Sequence, residues 1–276
     1  MVTATTGRHD GTAAPDRRLT YDDYLRLPEL LDIQRPLSPH ADELHFIVVH
    51  QAMELWFKLL VHDLRRLVRL MDADRLAESC AAMRRVNGVM YALLGQLRTL
   101  RDLPPGGFHS FRGRLDGASG LQSAQFRELE VGSGLRDDGY LDDLRAACGG
   151  TLPEAVTRGL RHRSVAQAHQ DAARRDGLTD WAELYTGPRS ASVLYVLSEL
   201  LMDYDELWLR WRTEHVALVR RMIGGARGTG GASTGYLERT LRHRFFPYLW
   251  ELRNTLAAGA DAGADAGATG SGGTAG

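Results

Sequence analysis

Two histidines, one arginine and one glycine-rich loop are the residues of this chain whose types and spacing could do chemistry. His215 lies in WRTEHVALVRRM, where Trp211, Leu218, Val219 and Met222 share its face at three- and four-residue spacing. An imidazole so placed is either a satisfied core residue or a ligand in a site. The segment ends at Gly224 and Gly225, which supply the permissive backbone of a helix C-terminus. Gly228-Thr229-Gly230-Gly231 follows. Ordering such residues costs about 1–2 kcal/mol each, so the loop suits a lid that orders over a bound ligand. His50 comes one turn after Phe46 in LHFIVVHQAMELWF, with an aromatic ring beside it. Phe108, Phe111 and Arg112 cluster in GFHSFRGR. A planar guanidinium among aromatics can grip a small carboxylate with two parallel hydrogen bonds, or pair with an acid of its own fold.

Helical periodicity predicts the elements that position these residues. LTYDDYLRLPELL is a short apolar helical segment carrying Tyr21, Tyr24 and Leu25, able to fill a cleft in a neighbour or to pack on its own core. A long helix is expected over 41–71 with a core stripe of Leu44, Ile47, Val48, Leu55, Leu59 and Leu67. A structural helix is expected over 74–101, ending before Pro104-Pro105-Gly106-Gly107. Ser119-Gly120 then leads into a helix with Gln122, Gln125 and Arg127. Short helical patches are expected over 140–147, 153–161 and 164–175, and the residues of 131–190 point to no particular role. Strong periodicity resumes over 190–224, and a last helix is expected over 236–256. No segment alternates like a strand, so the fold class is all-α. The expected organisation is a disordered tail over 1–18, one helical domain over 19–256, and a disordered low-complexity tail, AGADAGADAGATGSGGTAG, over 257–276.

Composition narrows the partners. The 276 residues are 43% hydrophobic, enough for one good core, and the formal net charge of -1 gives no pull toward nucleic acid or an anionic membrane. Lys58 is the single lysine, so the basic residues are almost all arginine. Cys80 and Cys148 form no C-x-x-C pair, which argues against a disulfide framework, a cysteine zinc site or covalent haem attachment. Free thiols fit the cytoplasm. The N-terminus lacks the apolar core of a signal peptide, and no uninterrupted apolar run is long enough to span a bilayer.

Four blocks, in order, resemble the tryptophan 2,3-dioxygenase family: LTYDDYLRLPELL, DELHFIVVHQAMELWFKLL, FHSFRGRLDGASGLQSAQFRELE and LMDYDELWLRWRTEHVALVRRMIGGARGTGG. The resemblance runs from about Leu19 to Leu256 and is weakest over 131–190. It implies a helical haem b enzyme, usually a homotetramer, that uses dioxygen to open the indole C2–C3 bond of L-tryptophan and yields N-formylkynurenine. By position, His215 is implied as the iron ligand, with Trp211 and Ser119 also at the haem. His50 is implied as the distal histidine that binds the indole N–H, with Phe46 and Phe108 lining the indole pocket. Arg112 is implied for the substrate carboxylate and Thr229 for its carboxylate and ammonium ends. Tyr21, Tyr24 and Leu25 are implied to reach the active site of a neighbouring subunit. The departures are Leu121, His45, Met53 and Ala232, the last in a loop that reads GTGGASTG. The altered loop motivates a second reading, a haem-dependent oxygenase, even a monooxygenase, of a substituted tryptophan such as a methylated one in secondary metabolism; a third, of another class, is a non-catalytic helical binding protein that has lost haem.

Overall fold

The computed structural model describes residues 18–229 and 234–257. The two expected tails and the Ala232 departure therefore lie outside the described residues, apart from Arg18 and Ala257. The chain divides into two compact units, Met1–Pro36 and Leu37–Gly276.

In the first unit, α1 (Tyr21–Leu25) and α2 (Leu27–Leu30) meet at Arg26, which takes the left-handed conformation (φ 53°). Thr20 caps α1, its hydroxyl oxygen accepting from the Asp23 N–H. Tyr21 and Tyr24 are more than 70% exposed, and no residue of α1 is buried.

The second unit is all-helical; no strand occurs among the described residues. Its long helices are α3 (Ala41–Asp72), α4 (Leu76–Thr99) and, later, α11 (Val193–Ile223). Between them come α5 (Pro105–Arg112), α6 (Ala124–Ser133), α7 (Asp138–Ala147), α8 (Glu154–Leu160), α9 (Val165–Arg175) and α10 (Glu183–Thr186). The three patches read over 140–175 are thus α7, α8 and α9 within a residue or two. α12 (Thr234–Arg239) and α13 (247–257) follow α11. α4 packs against both α3 and α11, and α6 packs against α3 and α8.

Local chemistry sets the ends. Ser192 caps α11 through the Tyr195 N–H, and Gly224 stops it at φ 59°, a conformation that disfavours side chains. The expected single helix over 236–256 is broken. α12 runs into a 3-10 turn, Thr240–Arg242, and α13 begins only at Pro247, whose missing N–H is tolerated at a helix start and not inside one. Buried Asp205 anchors this break, accepting from the N–H groups of Phe245 and Phe246 and from Trp250 Nε1 at 3.0–3.3 Å.

The stripe expected to form the core of α3 is largely its outer face. Leu44, Val48, Leu55 and Leu59 are 36–52% exposed, and Leu67 is the member that is fully buried. The buried stripe is Val49, Met53, Phe57, Leu60, Leu64, Leu67 and Met71. α3 is apolar on two faces, so periodicity alone does not say which one packs. By length and composition α3 is also long and apolar enough to cross a membrane, although Glu54 and Lys58 interrupt the run.

Two histidines are built into this core as neutral groups. His169 accepts from the Tyr248 hydroxyl at Nδ1 (2.7 Å), and its Nε2–H meets Ser198 Oγ (3.0 Å), whose proton goes to the Leu194 carbonyl. Burial pushes its pKa down to about 3, and burial followed by the Arg212 charge pushes that of His243 to about 4. Both groups take up protons more readily once unfolded, near pH 6.5. Their contribution to stability is complete above that pH and is lost as pH falls through the folded-state values. The thermal midpoint is therefore expected to drop as pH is lowered from 6.5 to 4; a flat midpoint across this window would contradict the assignment.

Candidate active site

A cavity of about 300 Å³ lies among α3, α5, α6, α11 and α12. It collects almost every residue that the sequence singled out in the second unit: Phe46, His50, Phe108, Arg112, Ser119, Trp211, His215 and Thr229 all line it. Gly107 lets α5 approach the start of α3; a Cβ there would meet an Asp42 carboxylate oxygen at 2.4 Å. That approach brings Phe46, Phe108 and Phe111 into one aromatic cluster, with ring centroids 5.5–5.7 Å apart.

His50 opens onto the cavity beside this cluster, 4.1 Å from the Phe46 ring. Its Nδ1 lies 2.7 Å from the Phe46 carbonyl oxygen, so Nδ1 carries the proton and Nε2 is left as an acceptor. Burial holds its pKa below the ordinary value, opposed by the Phe46 bond and by the charge of Glu54. At neutral pH the ring is uncharged and poised to accept a hydrogen bond.

His215 lines the cavity from α11 and is partly buried. It makes no hydrogen bond to a described residue, and its ring stacks on Trp211 at 5.1 Å and 14°. Burial, then the charge of nearby His50, pushes its pKa down to about 4. Two neutral imidazoles from different helices thus face one apolar space.

Arg112 forms no ion pair among the described residues. Its guanidinium donates to the Arg227 carbonyl, and the Thr229 hydroxyl donates to the Ala118 carbonyl, which ties the glycine loop to the cavity rim. The alternative of an arginine paired with an acid of its own fold is excluded for the described residues. Ser119 caps the 3-10 turn Gly120–Gln122, accepting from Leu121 N–H and forming a capping box with Gln122.

The sequence reading missed the polar wall. Arg127, Glu130 and Arg212 line the cavity while buried, with Glu130 accepting from Arg127 (2.6 Å) and from the Tyr140 hydroxyl (2.9 Å), and Arg212 standing 3.5 Å away. The Arg–Glu spacing of three in FRELE was the available signal. α4, read as structural throughout, also supplies Leu97 to the cavity.

The residues fit a haem. No group of three or more His, Cys, Asp or Glu able to hold a metal occurs among the described residues. A metal carried in a macrocycle needs only one protein ligand on one face, with apolar walls and an open opposite face. His215, whose ring nitrogens bond no described residue and whose ring lies parallel to Trp211, would supply the first; Met53, Phe57, Leu97, Phe126 and Leu218 would supply the second.

The family model for tryptophan 2,3-dioxygenase matches residues 4–183 and 181–256. A tryptophan 2,3-dioxygenase of Caulobacter vibrioides is 36% identical over 265 residues, covering 86% of this chain and 98% of the relative. One of Nocardioides sp. is 38% identical over 87% of this chain and 95% of the relative, and one of Bacillus thuringiensis subsp. konkukian is 33% identical over 86% and 93%. These matches do not favour the substituted-tryptophan or haem-free readings. The family is haem-dependent and uses dioxygen as co-substrate. With a family model matched over most of its length, relatives at 33–38% identity, four sequence blocks, an all-helical fold and a cavity that joins two imidazoles and an arginine, the chain belongs to the tryptophan 2,3-dioxygenase family.

Proposed function

We propose that this chain oxidises L-tryptophan with dioxygen at a haem held by His215, opening the indole C2–C3 bond to give N-formylkynurenine. The observation that carries the reading is the shared cavity: two neutral imidazoles, an aromatic slot and an arginine with no acid partner among the described residues, around one largely apolar space. Haem bound there supplies the redox-active iron that activates dioxygen.

The chain's own residues bind and orient. Phe46 and Phe108 hold the indole between aromatic surfaces. His50 accepts the indole N–H at Nε2, because Nδ1–H is already committed to the Phe46 carbonyl. Arg112 grips the substrate carboxylate with its planar fork, exchanging the Arg227 carbonyl for a charged acceptor. Thr229 closes on the amino-acid end, and Ser119 and Trp211 flank the haem. The apolar wall keeps water from the reacting ring.

The chain works as a homotetramer in the cytoplasm, with Tyr21, Tyr24 and Leu25 reaching a neighbour's active site. The exposure of these side chains, and of the Leu44–Leu59 stripe on α3, supports association; the free Cys80 and Cys148 support a reducing compartment. Holoprotein given L-tryptophan and air is expected to consume dioxygen and tryptophan in equal amounts and to accumulate N-formylkynurenine, read in the near ultraviolet. Dioxygen uptake without that product would overturn the reading.

A further inference from the structure

Gln125 stands on the first turn of α6, outside the cavity, and is absorbed by none of the roles above. Its side-chain amide donates twice across to a single residue of α3: to the Glu54 backbone carbonyl at 2.8 Å and to the Glu54 carboxylate at 2.9 Å. Glu54 lies one turn beyond His50, and both line the cavity. The opposing wall is built from the residues around Gln125, namely Ser119, Leu121 and Ser123 before it and Phe126 after it. The corner also meets this part of α3 through an apolar contact, Phe126 against Phe57 at 5.5 Å, and further along the same two helices Arg65 pairs with Glu128. Apolar contact brings two walls together but does not fix their register, because it has no direction. A double hydrogen bond to one backbone and one side-chain oxygen fixes both separation and register.

We propose that Gln125 is a positioning residue: by tying the Ser119–Phe126 corner to Glu54 it sets the width of the slot in which the indole lies against His50, and so sets how much substitution on the indole ring the enzyme accepts. This rests on the proposed reading that the slot beside His50 takes the indole. One methyl group more or less in an apolar slot shifts discrimination by about 10- to 200-fold, so one clamp of this kind can decide between close analogues. The carboxylate partner adds charge to the bond, which a neutral amide pair would lack.

The test compares L-tryptophan with tryptophan methylated on its six-membered ring, in wild type, Gln125→Leu, Glu54→Ala and the double variant, with haem content and thermal midpoint measured for each. Gln125→Leu is expected to raise KM for tryptophan about tenfold while kcat changes less than about threefold, and to shift preference about tenfold toward the methylated substrate. Glu54→Ala, which keeps the backbone acceptor, is expected to shift preference part of the way in the same direction. The double variant is expected to match Gln125→Leu alone, because both changes remove one interaction. The proposal is overturned if KM for the two substrates rises in step, if preference is unchanged, or if the two single effects add. Affinities are read independently from the substrate-induced shift of the Soret band. Wild type that binds tryptophan without forming product therefore counts against the proposed reaction, while the affinity comparison still decides the role of Gln125.

Discussion

His215→Ala is expected to yield a folded protein that is colourless. Haem occupancy should fall by at least about tenfold, the range attached even to the loss of a ligand's supporting partner, and the Soret band should vanish at ordinary haem supply. The physical reason is the shape of the site. The described residues hold no cluster of metal-binding side chains, so a haem iron would depend on one imidazole and on burial of the macrocycle. His215 is the imidazole with uncommitted nitrogens, aligned by its stack on Trp211. His50 has one nitrogen engaged by the Phe46 carbonyl and sits beside the aromatic slot proposed to take the substrate. His50→Ala is accordingly expected to keep haem and lose turnover. A red His215→Ala protein beside a colourless His50→Ala protein would reverse the assignment. Far-ultraviolet circular dichroism checks that the helices remain, and added imidazole is expected to restore the Soret band in His215→Ala.

Arg112→Lys is expected to have the second largest effect, and of a different kind. KM for tryptophan should rise roughly 10- to 100-fold, the equivalent of losing about 1.5–3 kcal/mol from a charge-assisted hydrogen bond, while haem content is unchanged. Lysine keeps the charge and loses the fork. Because Arg112 also holds the Arg227 carbonyl, the variant is expected to loosen the loop that carries Thr229, seen as faster proteolysis near 224–229. Loss of haem in step with loss of affinity would place Arg112 at the cofactor instead of at the substrate.

Which parts of this molecule could be read from its sequence follows from where the forces act. His50, Arg112 and His215 stand out because a polar or charged side chain on an apolar helical face is costly and demands a partner. Their meeting in one cavity is a tertiary fact that spacing cannot supply. The core face of α3 is not the one periodicity picks because two apolar stripes run along one helix, and the stripe that includes Met53, Phe57 and Leu60 is the buried one, with Phe57 against Phe126 and Trp208. Arg127, Glu130 and Arg212 went unnoticed because charged residues are normally surface residues, and only the fold shows this trio to be buried. The break between α12 and α13 was legible in Pro247 and was passed over for the stronger periodic signal around it. Gln125 carries no sequence signal at all; its importance lies in a partner 71 positions away.

The measurement that tests the central claim most directly is the mass of the product formed from L-tryptophan under labelled dioxygen. The account predicts N-formylkynurenine carrying two labelled oxygen atoms. A product carrying a single labelled atom, or plain tryptophan returned while a methylated tryptophan is oxidised, would contradict it.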